Sequence, residues 1–175
     1  MMLQELDASI RRGHYKKVKK ILQSLVEQGN VQHNAYLQKL LTSELPDGIM
    51  LSDLARAFFR LNRTSLSDCA TIFLLQDIPS IPVQAALLEV LGYDRMVPPV
   101  EVQKQLILQF FHYGDFLDHR VSTDPRYGLA AACAHWDEGV VHRFLLHCLR
   151  VDDAPLRYVA EHSLKRKYAK LRSLS

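Results

Sequence analysis

The densest cluster of residues able to do chemistry runs from Cys133 to Cys148: Cys133, His135, Trp136, Asp137, His142, His147 and Cys148. Thiolates and imidazoles are zinc donors, and a zinc site needs three or four of them to converge. The spacing opposes convergence. His142 and His147 are five residues apart, so on one helix they point about 140° away from each other. Cys133 and Cys148 fall at apolar positions, as core thiols do. The chain has no C-x-x-C, no H-E-x-x-H and no G-x-S-x-G. Its seven glycines are scattered singly, so no glycine-rich loop is present to cradle a phosphate. The sequence thus offers no catalytic residue, no metal ligand and no cofactor site, and an enzyme is not the expectation.

Charge is the second feature with chemical content. The net charge is +3, unevenly spread. Residues 1–20 carry six basic and two acidic groups, and residues 165–175 carry five basic and none acidic, so the body between them is acidic. Two candidate binding surfaces follow. One is Arg11, Arg12, Lys16, Lys17 and Lys20, with Lys19 in the same run; the other is Lys165, Arg166, Lys167, Lys170 and Arg172. Such runs attract phosphates or an acidic partner. They also suit a solvated helix face, or a helix C-terminus where cations favour the macrodipole.

The elements that must position these groups are helices. Apolar residues recur at three- and four-residue steps almost throughout, and strand alternation is nearly absent. Leu3, Leu6 and Ile10 predict a first helix stopped near Gly13. Val18, Ile21, Leu22 and Leu25 predict a second, closed at Gly29-Asn30. Leu45-Pro46-Asp47-Gly48 ends a third, and Ser52 is the expected cap of a fourth. Further helices are expected over 65–76, 79–92 (ended by Gly92) and 99–114, followed by a long loop at 114–123. Asp124-Pro125 starts the next helix, Asp137-Glu138-Gly139 turns the chain, and Asp152 or Asp153 caps the last. These pair as 2–12 with 14–28, 32–44 with 51–62, 65–76 with 79–92, 99–114 with 124–136, and 139–150 with 154–171. Each helix is too short to be stable alone, so each needs a neighbour to cover its stripe.

Two segments look alike beyond amphipathicity: Asp77-IPSIP-Val83-Gln84-Ala85-Ala86-Leu87-Leu88-Glu89-Val90-Leu91 and Asp153-AP-Leu156-Arg157-Tyr158-Val159-Ala160-Glu161-His162-Ser163-Leu164. Both resemble the second helix of a HEAT repeat: an Asp and often a Pro, an apolar–Arg pair, small residues, then Leu. Asp124-Pro125-Arg126-Tyr127 with its alanines is a looser copy, and Gln84 stands where the family usually has Arg. The resemblance covers roughly residues 65–171. It implies an all-α fold, a short right-handed α-solenoid of helical hairpins. It also implies that Arg157 bridges to an Asp of a neighbouring repeat. Residues 1–62 are expected to form N-terminal helical hairpins, either separate from or continuing the same stack, with the HEAT-like repeats over 63–175. Some HEAT-like proteins are enzymes. Against the His-Glu pairs of their metal-dependent hydroxylases this chain offers only Glu161-His162, reversed. Against the Asp, Trp and Arg of the alkylpurine DNA glycosylases it offers Trp136, Asp137 and Arg143.

The functional expectation is a non-catalytic scaffold or adaptor binding another protein. The alternative is nucleic-acid binding through the basic ends, and a second alternative is base excision or a metal-dependent activity. No apolar run approaches the length needed to span a bilayer. Three separated cysteines, Cys69, Cys133 and Cys148, suggest a reducing cytoplasm rather than a disulfide framework.

Overall fold

A computed structural model describes residues 1–42, 48–61, 81–112, 124–136 and 139–173. Among these residues every regular element is helical. In chain order they are α1 (Met2–Arg11), α2 (Tyr15–Gln28), α3 (Val31–Leu41), α4 (Gly48–Leu61), α5 (Ile81–Tyr93), α6 (Val100–Phe110), α7 (Arg126–Ala132), α8 (Gly139–Cys148) and α9 (Ala154–Arg172). A 3₁₀ turn, Cys133–His135, extends α7. The turn expected around Leu45-Pro46-Asp47, the helix over 65–76, the loop at 114–123 and Asp137-Glu138 lie outside the described residues.

Local chemistry explains most boundaries. Gly29 stops α2 in the left-handed conformation, φ 60°, with its N–H on the Leu25 carbonyl. Asn30, expected to help close α2, instead starts α3 by accepting the Gln32 N–H at 2.9 Å. Asp124 accepts the Arg126 N–H at 2.9 Å, and Asp153 accepts the Leu156 N–H at 2.8 Å, so both aspartates cap as expected. Several boundaries differ from those expected: α3 ends at Leu41 rather than 44 and α6 at Phe110 rather than 114. Helix α4 begins at Gly48, which leaves Ser52 a full turn inside it. Helix α5 runs past Gly92 to Tyr93, because Gly92 serves packing rather than termination.

The packing has a consistent order. Helix α2 lies against α4, α4 against α5, α5 against α7, and α7 against α9. The other helices flank this row. Helix α1 packs on α2, α3 on α4 and α8 on α9, as paired in the sequence. Helix α6 packs more on α8 than on its expected partner α7. The Tyr36 hydroxyl of α3 donates to Asp7 of α1 at 2.8 Å and ties the first two pairs together. One apolar core runs from Leu6 through Phe58, Leu88, Phe110, Trp136 and Phe144 to Leu164. Each fully buried Leu or Phe contributes about 1.5–3 kcal/mol, which is what these short helices need from their neighbours.

The closest approach in the row is between α5 and α7. A Cβ on Gly128 would overlap the backbone of Leu88 and Glu89. One on Gly92 would sit 2.9 Å from the Ala131 Cβ and 3.0 Å from the Ala132 nitrogen. Glycine on both helices, with Ala131 and Ala132 between, lets the backbones meet. Helix α5 is accordingly apolar nearly all round, with Val83, Leu87, Leu88, Val90 and Leu91 buried.

Candidate recognition face

The Cys/His cluster disperses in three dimensions. Cys133 and Cys148 are fully buried, and burial, followed by the neighbouring Cys148, pushes the Cys133 thiol well above its ordinary value. Trp136 is buried and donates its indole N–H to the Met96 carbonyl at 2.9 Å. His142 faces Tyr168 of α9, whereas His147 packs on Phe111 and His112 beyond α6, with ring centroids 4.6 and 4.9 Å away. Asp137 lies outside the described residues. Glu161 and His162 are exposed, with the His162 ring 4.2 Å from that of Tyr158. Among the described residues no three His, Cys, Asp or Glu side chains are grouped to hold a metal ion.

The expected interhelical bridge is made by other residues. Arg157 is exposed and among the described residues pairs with Asp152, 3.9 Å away in the preceding loop. The link between α7 and α9 comes instead from the Tyr127 hydroxyl, which donates to the Asp153 carboxylate at 2.6 Å, and from Ser163, which donates to the Ala130 carbonyl at 2.8 Å. Burial and the adjacent Asp153 carboxylate raise the Tyr127 pKa far above the usual phenol value. Beneath this contact Arg126 is completely buried, its guanidinium on Asp124 at 2.9 Å.

The predicted basic residues take different roles. Arg11 pairs with Asp7 at 2.9 Å, and Lys17 with Glu5 at 2.9 Å across α1 and α2. Lys165 sits 4.0 Å from Glu161. These exposed pairs add little stability. Lys167 turns inward and donates to the Trp136 carbonyl, so it joins α9 to the end of the 3₁₀ turn. Arg12, Lys16, Lys20, Arg166, Lys170 and Arg172 are exposed.

Between the two basic ends the fold supplies cations that the sequence reading passed over. Lys19 and Gln23 of α2 face Asp53, Arg56 and Arg60 of α4 across an open groove of about 300 Å³. Arg56 bridges from Asp53, at 3.8 Å, to Asp94 at the end of α5, at 3.6 Å. Arg95 follows immediately. Its charge reaches His135 on the 3₁₀ turn, as do the charges of Arg166, Lys167 and Lys170 from α9. Burial first, then these four cations, lowers the His135 pKa. Positive side chains thus recur on the helices of this row: Lys19 on α2, Arg56 and Arg60 on α4, Arg95 after α5, and Arg166 and Lys170 on α9. The carboxylates at its centre, Asp53 and Asp94, are both engaged by Arg56.

Arg95 occupies an unusual backbone position. Its φ is 51°, the one positive φ at a non-glycine among the described residues. The Met96 N–H bonds to the Leu91 carbonyl at 3.0 Å and the Arg95 N–H to the Gly92 carbonyl at 3.3 Å. This is a Schellman ending, with arginine at the left-handed site that glycine normally fills. A side chain there costs about 1 kcal/mol or more. A second groove, of about 460 Å³, lies on the flanking layer between Lys104 and Leu108 of α6 and Val140 and Arg143 of α8.

Arg56 and Arg60 share one helix and Arg95 comes much later in the chain, so nothing in the sequence joins the three into a set. The left-handed site gave no signal either, since the residue there is not glycine. No family model, curated protein or solved structure matches the chain.

Proposed function

We propose that this protein is a non-catalytic recognition scaffold, a short right-handed stack of HEAT-like helical hairpins that binds a macromolecule on the face of its second helices. The observation that carries the reading is the unbroken succession α2, α4, α5, α7, α9, whose helices carry exposed charged side chains. Helical-hairpin stacks bind through such extended faces. The capping aspartates Asp124 and Asp153, each followed by a helix that packs into the row, fit the repeat pattern. The small residues between α5 and α7 fit it too.

The test is site-specific photo-crosslinking in lysate. A photoreactive residue replaces Arg60 on the face or Leu108 on the flanking layer. Discrete adducts are expected from position 60 and not from position 108. Adducts from neither position, or only from position 108, would overturn the proposal.

A further inference from the structure

We infer that the positive row binds single-stranded nucleic acid, with Arg60, Arg95 and Arg166 contacting separate phosphates along the strand and Tyr93 as a base-stacking surface. This rests on the scaffold reading above and names the partner class for the same face.

Three observations favour a phosphate polymer. First, the cations are distributed along a line. Four helix-to-helix steps of about 9 Å give the row from α2 to α9 a span of up to roughly 35 Å. That is the reach of an extended polyanion, not of a small anion. A single-strand-binding groove of this type covers about 4–16 nucleotides. Secondly, the row is dominated by charge. A protein-binding hot spot is built from buried aromatic and apolar anchors with charge depleted at its centre. Here the centre is Arg56 with its two aspartates, and Arg60, Arg95 and Arg166 are all exposed. The guanidinium fork suits phosphate oxygens. Thirdly, Tyr93 closes α5 directly ahead of Asp94 and Arg95 and is 71 % exposed. A solvated aromatic ring beside a row of cations is the combination that holds single strands by stacking plus charge.

The backbone at Arg95 is independent support. Glycine would end α5 at lower energy, yet the left-handed site carries an arginine whose charge reaches His135 together with those of α9. Strain of this kind is retained where the side chain has a use.

The experiment is fluorescence anisotropy of the full chain with a labelled oligothymidylate and oligouridylate of about 15 nucleotides. With five cations engaged (Lys19, Arg60, Arg95, Arg166 and Lys170), log K should fall with log salt at a slope of about −3.5. That is about a hundredfold loss between 50 and 200 mM salt. Arg60→Gln, Arg95→Gln and Arg166→Gln should each weaken binding and reduce the slope by about 0.7, whereas Arg143→Gln on the flanking layer should change nothing. Tyr93→Ala should weaken binding about tenfold with the slope unchanged, because stacking releases no counterions. Arg95→Gly should fold at least as stably as the parent and still bind less tightly, which separates loss of contact from loss of fold.

No binding at 50 mM salt would overturn the inference. So would equal weakening by Arg143→Gln. A duplex of the same length bound as tightly as the single strand would remove the single-strand assignment. Polyglutamate bound as tightly as the oligonucleotides would overturn it in favour of an acidic protein partner. In that last case, crosslinks from position 60 to a protein would leave the scaffold reading standing.

Discussion

Replacing Gly128 with alanine sets two physical effects against each other. Helix propensity alone predicts a gain, since alanine in a helix is favoured over glycine by about 1 kcal/mol. The tertiary structure predicts a loss. The new Cβ would lie on the backbone of Leu88 and Glu89, with the Glu89 Cα at 2.7 Å. Backbone has no rotamer to turn away, so α5 and α7 must separate along their whole contact. Overpacking costs about 1–3 kcal/mol when side chains can adjust, and rigid backbone puts this case at the upper end. Subtracting the propensity gain leaves a net loss of about 2 kcal/mol. For a chain of this size that is a fall in Tm of roughly 4–8 °C. Thermal unfolding followed by circular dichroism reads it directly. Gly139→Ala is the control, because nothing lies within 4 Å of its Cβ position; it should be neutral or mildly stabilising. A Gly128→Ala variant that melts at or above the parent temperature would refute the close α5–α7 contact, and with it the order of helices in the row.

Asp124→Ala should cost about 3 kcal/mol in chemical denaturation, because it takes the carboxylate partner from a fully buried guanidinium; an unchanged midpoint would contradict that burial. Tyr127→Phe should lose about 2 kcal/mol near neutral pH, the value of a hydrogen bond to a charged group. The same phenol has a raised folded pKa, so its contribution is complete below pH 10 and is lost as pH rises above it; the Phe variant should show a shallower alkaline decline. His135 has a lowered folded pKa, so its contribution is present above about pH 6.5 and is lost as pH falls, when the unfolded chain takes up the proton first. His135→Gln should flatten the stability profile between pH 6.5 and 5, and an identical acid profile would count against the cationic surroundings drawn for it.

Much of the fold is legible in the sequence because it is written locally. The three- and four-residue apolar steps mark the described helices, and Gly29, Asp124 and Asp153 act on backbone groups within a few positions of themselves. Where local signals compete, the reading slips. Asn30 both follows one helix and precedes another, and only its hydrogen bond to Gln32 shows which it serves. Gly92 looks like a helix stop because glycine usually is one. In the fold it is a contact surface for Ala131, and the stop passes to an arginine three residues later. Helix α6 is next in sequence to α7 yet packs more on α8, which no periodicity encodes.

The sequence by itself determined that the described residues are helical, where their helices begin and end to within a few residues, and that the two ends of the chain are basic. These follow from interactions spanning one or two turns, so neighbouring residues suffice to specify them. Only the tertiary structure decided that Lys167 is turned inward onto Trp136, that Tyr127 rather than Arg157 joins α7 to α9, and that Arg56 of α4 reaches Asp94 beside Arg95 at the end of α5. The physical reason is distance along the chain. These side chains come from helices separated by tens of residues, and their juxtaposition is set by how closely backbones approach, down to the missing Cβ atoms of Gly92 and Gly128.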